Sequence, residues 1–274
     1  MAPPAARDCV GATLAQAWPW HASRIAYRRW ELAMPYQNMT LADFSKHVGL
    51  DAREVRKLAE RGKLPAQRIA GKWRFNRARV TEWLQQEMLT LNIDESRLRA
   101  IEKAMSESGV RDVDQHLLTA MMSPEGINLQ LPARTKSSVL LELVTLADCT
   151  GLLWDQPGLL AALQQRESLC TTALPNGIAI PHPRQPMPYA SAEPMVCLAR
   201  IGRGIGFGSP CGGLTDVFFL ICCHDDRHHL HVLARLVRML DDGFIETLRQ
   251  WTDPEEALAA LIEREELVAK QHPG

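Results

Sequence analysis

The chain has 274 residues, 46% of them hydrophobic and 23% charged, with a formal net charge of −1; this is the composition of a folded globular protein, and the length suits two domains. No run of 18 or more apolar residues is present, so no membrane insertion is expected. The seven cysteines are odd in number and scattered, and the Pro- and Trp-broken N-terminus lacks the apolar stretch of a secretory signal, which points to reduced thiols in a cytoplasmic protein.

Charge is unevenly spread. Residues 39–88 carry 11 Lys+Arg against 6 Asp+Glu, residues 89–274 carry 16 against 24, and residues 1–38 carry 4 against 2. A basic block beside an acidic remainder predicts two modules with different partners. Residues 1–38 show no clean periodicity; they are read as an N-terminal extension, either disordered or an artefact of an upstream start codon, with no function assigned. In the basic block, Thr40 is placed to cap a helix bearing Leu41, Phe44 and Val48 on one face, and Gly49 ends it. Asp51, with Glu54 three residues on, predicts a capping box for a second helix whose inner face is Val55 and Leu58. Arg53, Arg56, Lys57 and Arg61 fall on the other side. Gly62 and Pro65 stop that helix. "QRIAGKWRF" then predicts a hairpin turning at Ala70–Gly71, and Asn76 caps a third helix with Val80, Trp83 and Leu84.

This order of helix, helix, "RGKLPAQRIAGKWRF" and helix resembles the excisionase-like, MerR-related winged helix-turn-helix domains over roughly residues 39–88. The resemblance implies DNA as partner; domains of this kind sometimes bind proteins instead. Arg53, Arg56, Lys57 and Arg61 lie on or beside the recognition helix and Arg68, Lys72 and Arg74 in the wing, where cations neutralise phosphates and helix side chains reach base edges. A single copy binds weakly, so a homodimer is expected.

Residues 89–122 are read as a helical linker. Leu98, Ile101 and Met105 form one stripe, for which packing is favoured over dimerisation, and Gly109 breaks it. Residues 123–270 mix strands and helices. "INLQL", "EPMVCLARI" and "LTDVFFLICC" read as strands. "TKSSVLLELVTLADCTG", "QPGLLAALQQRES", "DDRHHLHVLARLVRMLDD" and "TDPEEALAALIERE" read as helices, the last capped by Asp253 with Pro254 in its first turn. The fold class is therefore α/β, a mixed sheet flanked by helices, preceded by a small winged helix-turn-helix domain.

Within this module "GIAIPHPR" holds His182 between two prolines. A neutral imidazole is a nucleophile when its other nitrogen is pinned, and a rigid frame limits the ring's wandering. On the tripeptide alone, the favoured reading of His182 is simply a polar residue at a strand end. The longer segment "RESLCTTALPNGIAIPHPR", with Arg166–Glu167, Thr172, Asn176–Gly177 and Ile178 to His182, closely resembles the active-site segment of the fructose/mannitol-type enzyme IIA domains of the bacterial phosphotransferase system, including their nitrogen-regulatory branch. "HHLHVLARL" resembles the same family's helix start, with His229 as the matching histidine.

The resemblance implies that His182 accepts a phosphoryl group from HPr or a nitrogen-branch HPr relative. It also implies that Arg166 offers a planar fork to phosphate, that Thr172 and amides near Gly177 donate to it, and that His229 stabilises its charge. No metal or other cofactor is implied, because the donor is already an activated phosphohistidine. The chain departs from the family after the histidine, where Pro183–Arg184 replaces the usual Gly; Arg184 is read as an aid to partner docking. Cys222, Cys223, His224, His228, His229 and His231 crowd "CCHDDRHHLH", but adjacent cysteines ending an apolar strand read as core residues rather than zinc ligands.

Joined, the modules predict a phosphotransferase-linked regulator whose DNA binding responds to phosphorylation of His182. Repulsion of DNA and release of an intramolecular clamp are both open as its mode. The alternative is a phosphocarrier that passes phosphoryl to a separate IIB component, or to another regulated protein, during sugar uptake. A third reading, an interaction module without phosphotransfer, is disfavoured by the retention of Arg166, His182 and His229.

Overall fold

Thr40 opens the first helix, α1 (Leu41–Val48), through a reciprocal capping box with Asp43, and Gly49, at φ +69°, closes it in the left-handed conformation. This computed structural model describes residues 38–89, 93–106 and 117–271. The readings placed on residues 1–37 and on Gly109 lie outside these residues. Met39–Gly274 form one compact unit.

Helix α2 (Ala52–Glu60) is capped by Asp51, whose carboxylate accepts from the Arg53 N–H. The expected capping box with Glu54 does not form: the Asp51 carboxylate accepts from the N2 amide of Arg53 rather than from the N3 amide of Glu54. Strands β1 (Ala66–Ile69) and β2 (Lys72–Asn76) make an antiparallel hairpin in which Ile69 pairs with Lys72. Its two-residue turn puts both Ala70 (φ +48°) and Gly71 (φ +76°) at positive φ, the geometry that matches strand twist. Helix α3 (Arg77–Leu89) follows. Phe44 stacks on Phe75 with ring centroids 4.3 Å apart, and Val55, Val80 and Leu84 complete this small core.

Helix α4 (Glu95–Ser106) is packed on both sides, against α1 and against α7 (Asp226–Met239). Its stripe of Leu98, Ile101 and Met105 is buried. Glu102, also buried, accepts from Arg235 at 2.5 Å and from Arg238. Arg235 further contacts Glu265 at 3.2 Å, and Glu265 accepts from the Leu118 and Thr119 amides at 2.7 and 2.9 Å.

The second module is a four-stranded mixed sheet. Strands β3 (Ile127–Asn128), β4 (Ile178–Ala179), β5 (Met195–Ile205) and β6 (Thr215–Cys222) lie in the order β3–β5–β6–β4. β5 and β6 are antiparallel, with Leu198 opposite Phe219, and the outer pairs are parallel. Only two residues of the expected "INLQL" strand pair. Both sheet faces are covered, which is why β5 and β6 read as continuous apolar runs. Cys197, Ala199, Phe218 and Leu220 face α5 (Lys136–Cys149) and α6 (Gln156–Leu169), while Val196, Leu198, Phe219 and Ile221 share a core with α7 and α9 (Pro254–Lys270). That second core runs without a break into the core of the basic module. Helix α7 is the pivot, with every residue from His229 to Met239 buried. A short helix, α8 (Asp242–Gln250), was absent from the sequence reading; Gly243 near its start and a single buried pair, Ile245 and Leu248, hide it.

Candidate functional site

The segment that carries His182 is held on both edges. Leu174 donates to the Ile178 carbonyl at 2.7 Å and Ile180 to the Thr172 carbonyl at 3.1 Å, so residues 172–180 fold back on themselves through the Asn176–Gly177 turn. On the other edge β4 pairs with β6, and the Ile221 N–H donates to the Pro181 carbonyl at 3.0 Å. His182 therefore leaves the sheet at a fixed point.

Its ring is fixed as well. His182 Nδ1 lies 2.7 Å from the Ile180 carbonyl. A carbonyl only accepts, so Nδ1 carries the proton and Nε2 carries the lone pair. His182 is fully buried, and among the described residues its Nε2 has no hydrogen-bond partner. His229 comes from the first turn of α7, which is capped by the Asp225 carboxylate at the His228 amide. The two rings are 4.9 Å apart between centroids, tilted by 41°, and His229 Nε2 is likewise buried without a partner.

Electrostatics keeps both rings neutral. The His182 pKa is driven well below the usual histidine value, first by burial and then by the charges of His229 and Arg166. His229 is lowered to about 4, by burial and then by Arg166. Arg166, in the last turn of α6, is 5% exposed, and its Nη1 donates to the Cys170 carbonyl at 2.8 Å. The lone pair on His182 Nε2, a neutral His229 and a buried guanidinium bring a nucleophilic nitrogen and anion-stabilising charge together at neutral pH.

Thr172 requires a correction to the sequence reading. Its hydroxyl donates to Glu167 at 2.6 Å and its amide to the same carboxylate at 3.2 Å, so the side chain is committed to Glu167. Glu167 also pairs with Lys136 at 2.9 Å. Thr172 thus holds the segment, and Glu167, quoted from the sequence without a role, is the hub. At the Asn176–Gly177 turn it is the carbonyls that are engaged. That turn is closed by Asp216, whose N–H donates to the Gly177 carbonyl at 2.9 Å, and by Arg249, which donates to the Asn176 carbonyl at 3.1 Å. Cys222 and Cys223 are core residues, 0% and 3% exposed, and among the described residues no group of three His, Cys, Asp or Glu is placed to hold a metal ion.

The basic module presents a second candidate surface. Arg53, Arg56 and Lys57 are exposed along α2, and Arg61 at its C-cap is exposed too. Arg56, Arg68, Lys72 and Arg74 line one open groove of about 630 Å³ between α2 and the hairpin. Arg68 donates to the Gly71 carbonyl at 3.3 Å, with its guanidinium 5.8 Å over the Trp73 ring. Arg53 and Lys57 flank Arg56 along a second cleft on α2, while Arg74 is half-buried and donates to the Trp73 carbonyl at 3.3 Å.

The phosphoenolpyruvate-dependent sugar phosphotransferase system EIIA 2 family model matches residues 120–264, and a helix-turn-helix domain model matches residues 39–88. Over 129 residues the chain is 36% identical to a nitrogen regulatory protein from Bradyrhizobium diazoefficiens, covering 46% of this chain and 80% of that one. It is 29% identical over 125 residues to a fructose-specific EIIABC component of Bacillus subtilis, 45% of this chain but 19% of the relative. Among solved structures, the nitrogen regulatory protein IIA-Ntr of Neisseria meningitidis superposes with a TM-score of 0.48 at 23% identity, over 52% of this chain and 97% of that one. IIA mannitol of Escherichia coli gives 0.46 at 23% identity, over 52% and 98%.

Proposed function

Because the chain belongs to the phosphoenolpyruvate-dependent sugar phosphotransferase system EIIA 2 family, we propose that it is a phosphotransferase-linked regulator in which His182 Nε2 takes a phosphoryl group and a DNA-binding head, residues 39–88, responds to it. One observation carries the reading: His182 Nδ1 is spent on the Ile180 carbonyl, while Nε2 is left unpartnered beside His229 and Arg166.

The transfer balances without a metal. The donor is a phosphohistidine of HPr or a relative. The Nε2 lone pair forms the new N–P bond, the donor's N–P bond breaks, and its electron pair returns to the donor imidazole. Nδ1 keeps its proton on the Ile180 carbonyl, which steadies the positive charge the ring acquires. Arg166 and the second imidazole act on the phosphoryl oxygens, where charge is greatest in the transition state. Arg166 is the stronger of these, being cationic and buried.

The head supplies phosphate-neutralising cations from α2 and the hairpin, and a homodimer would set two such faces on one duplex. Phosphorylation adds about two negative charges. The test is a DNA shift assay with unmodified and phosphorylated protein across a salt series. Salt-sensitive binding that differs between the two forms supports a regulator. Equal absence of DNA binding, with onward transfer to a IIB protein, would instead make the chain a phosphocarrier.

A further inference from the structure

We infer that helix α3 of the head is the cover of the phosphoacceptor site, so that the docked head and an incoming phosphoryl donor compete for one face of the molecule. The inference deepens the proposed function and rests on its reading of His182 as the acceptor.

Three contacts place α3 across the segments that build the site. Glu82 pairs with Arg184, two residues beyond His182, at 2.9 Å. Gln86 donates to Cys170 Sγ at 3.3 Å, in the stretch joining Arg166 to Thr172. Ala78, Thr81 and Glu82 share a cleft with Arg184 and Asp226, the latter one turn before His229. The partner that Arg184 docks is therefore the chain's own head.

Helix α3 is buried on two faces. Val80 and Leu84 belong to the core of the head. Thr81 and Gln85, 3% and 1% exposed, lie on the same stripe as Ala78, Glu82 and Gln86, the residues that meet the second module. Among the described residues Thr81 Oγ1 and Gln85 Oε1 are buried without a partner, as are His182 Nε2 and His229 Nε2. A permanent interface would be apolar or fully hydrogen-bonded. Around Thr81 and Gln85 this contact is polar and under-satisfied, and the Glu82–Arg184 pair beside it is about half exposed and correspondingly weak, whereas Met88 and Leu89 at the other end of α3 join the shared apolar core. The part of α3 nearest the site is therefore the weakly held part.

Opening is also required by the chemistry. A protein donor must bring its phosphorus within about 3–3.5 Å of Nε2, and His182 is fully buried. Once the phosphoryl group is on, a dianion would sit under a helix that offers it the Glu82 carboxylate, so α3 is held off. The docked head keeps Arg53, Arg56 and Lys57 exposed. Docking thus masks the phosphoacceptor and leaves the DNA surface on display.

The test uses the full chain and two reagents. Diethyl pyrocarbonate acylates neutral imidazoles and needs no phosphotransfer competence, so it reads access to His182, scored by peptide mass against His224. Phosphorylated HPr reads acceptance. Gln85→Arg, which overfills the α3 contact away from the head's own core, is expected to raise His182 acylation at least tenfold. Glu82→Arg is expected to raise it two- to fivefold, and Glu82→Arg with Arg184→Glu to restore the slow rate, which guards against misfolding of the first variant. Equal acylation of His182 in the parent and in both single variants, each giving a native circular dichroism spectrum, overturns the cover. Faster acylation with no phosphorylation from HPr in any protein keeps the cover and overturns the acceptor reading.

Discussion

Replacing Glu102 by Gln tests how α4 binds the head to the second module. Glu102 is 6% exposed and lies between Arg235 and Arg238, whose side chains are each 1% exposed. Gln keeps the volume and one acceptor oxygen but loses the charge, and its amide turns a donor toward donors. Arg235 retains Glu265 at 3.2 Å, though that carboxylate also serves the Leu118 and Thr119 amides. Arg238 retains Glu95 at 3.0 Å and the Val268 carbonyl at 3.1 Å, but Glu95 is 47% exposed. Breaking a buried pair costs about 3–5 kcal/mol, and the surviving partners set the expectation at the low end, about 3 kcal/mol. For a chain of this size that lowers Tm by roughly 6–12 °C. Urea unfolding followed by circular dichroism measures it, with Glu95→Gln as a control expected to cost under about 1 kcal/mol. A Glu102→Gln loss below about 1 kcal/mol would refute the argument that these charges are desolvated and mutually dependent.

Gly49→Ala should cost about 2–3 kcal/mol, since the residue sits at φ +69° and a Cβ would come within 2.6 Å of the Ala100 carbonyl oxygen; a neutral thermal melt would contradict the α1–α4 contact. Burial lowers His47, His229 and His231 to about 4. Against an unfolded value near 6.5, the unfolded chain binds more protons in between, so stability is full above about pH 6.5 and is lost as pH falls. Each ring then removes about 1.3 kcal/mol between pH 7.5 and 5.5, and a urea midpoint flat over that range would contradict their burial. Arg53→Ala and Arg56→Ala should each reduce the slope of log affinity for DNA against log salt by about 1; unchanged slopes would move the DNA surface elsewhere.

The basic module was legible because its signals are local. The Thr40 cap, the Gly49 stop and the Ala70–Gly71 turn each follow from one or two residues' own conformational chemistry. The Asp51 cap was read with the right residue but the wrong amide, because three-residue spacing does not decide whether the cap accepts from the N2 or the N3 amide. In the second module the apolar runs of β5 and β6 marked both as strands, whereas α8 has too short an apolar face to stand out. At the site, the Pro-framed His182 and its companion His229 were visible as motifs. That Glu167 claims the Thr172 hydroxyl was not, because a carboxylate five residues away is as free to face water. Least legible was the docking of α3, whose Thr81–Gln85 stripe looks in sequence like any solvated face.

The most direct test of the account is the mass of the full chain after incubation with enzyme I, HPr or its nitrogen-branch relative, and phosphoenolpyruvate, beside His182→Ala. The account predicts one added phosphate on the parent and none on the variant. No addition with either donor, or equal addition to both proteins, would contradict His182 as the phosphoacceptor.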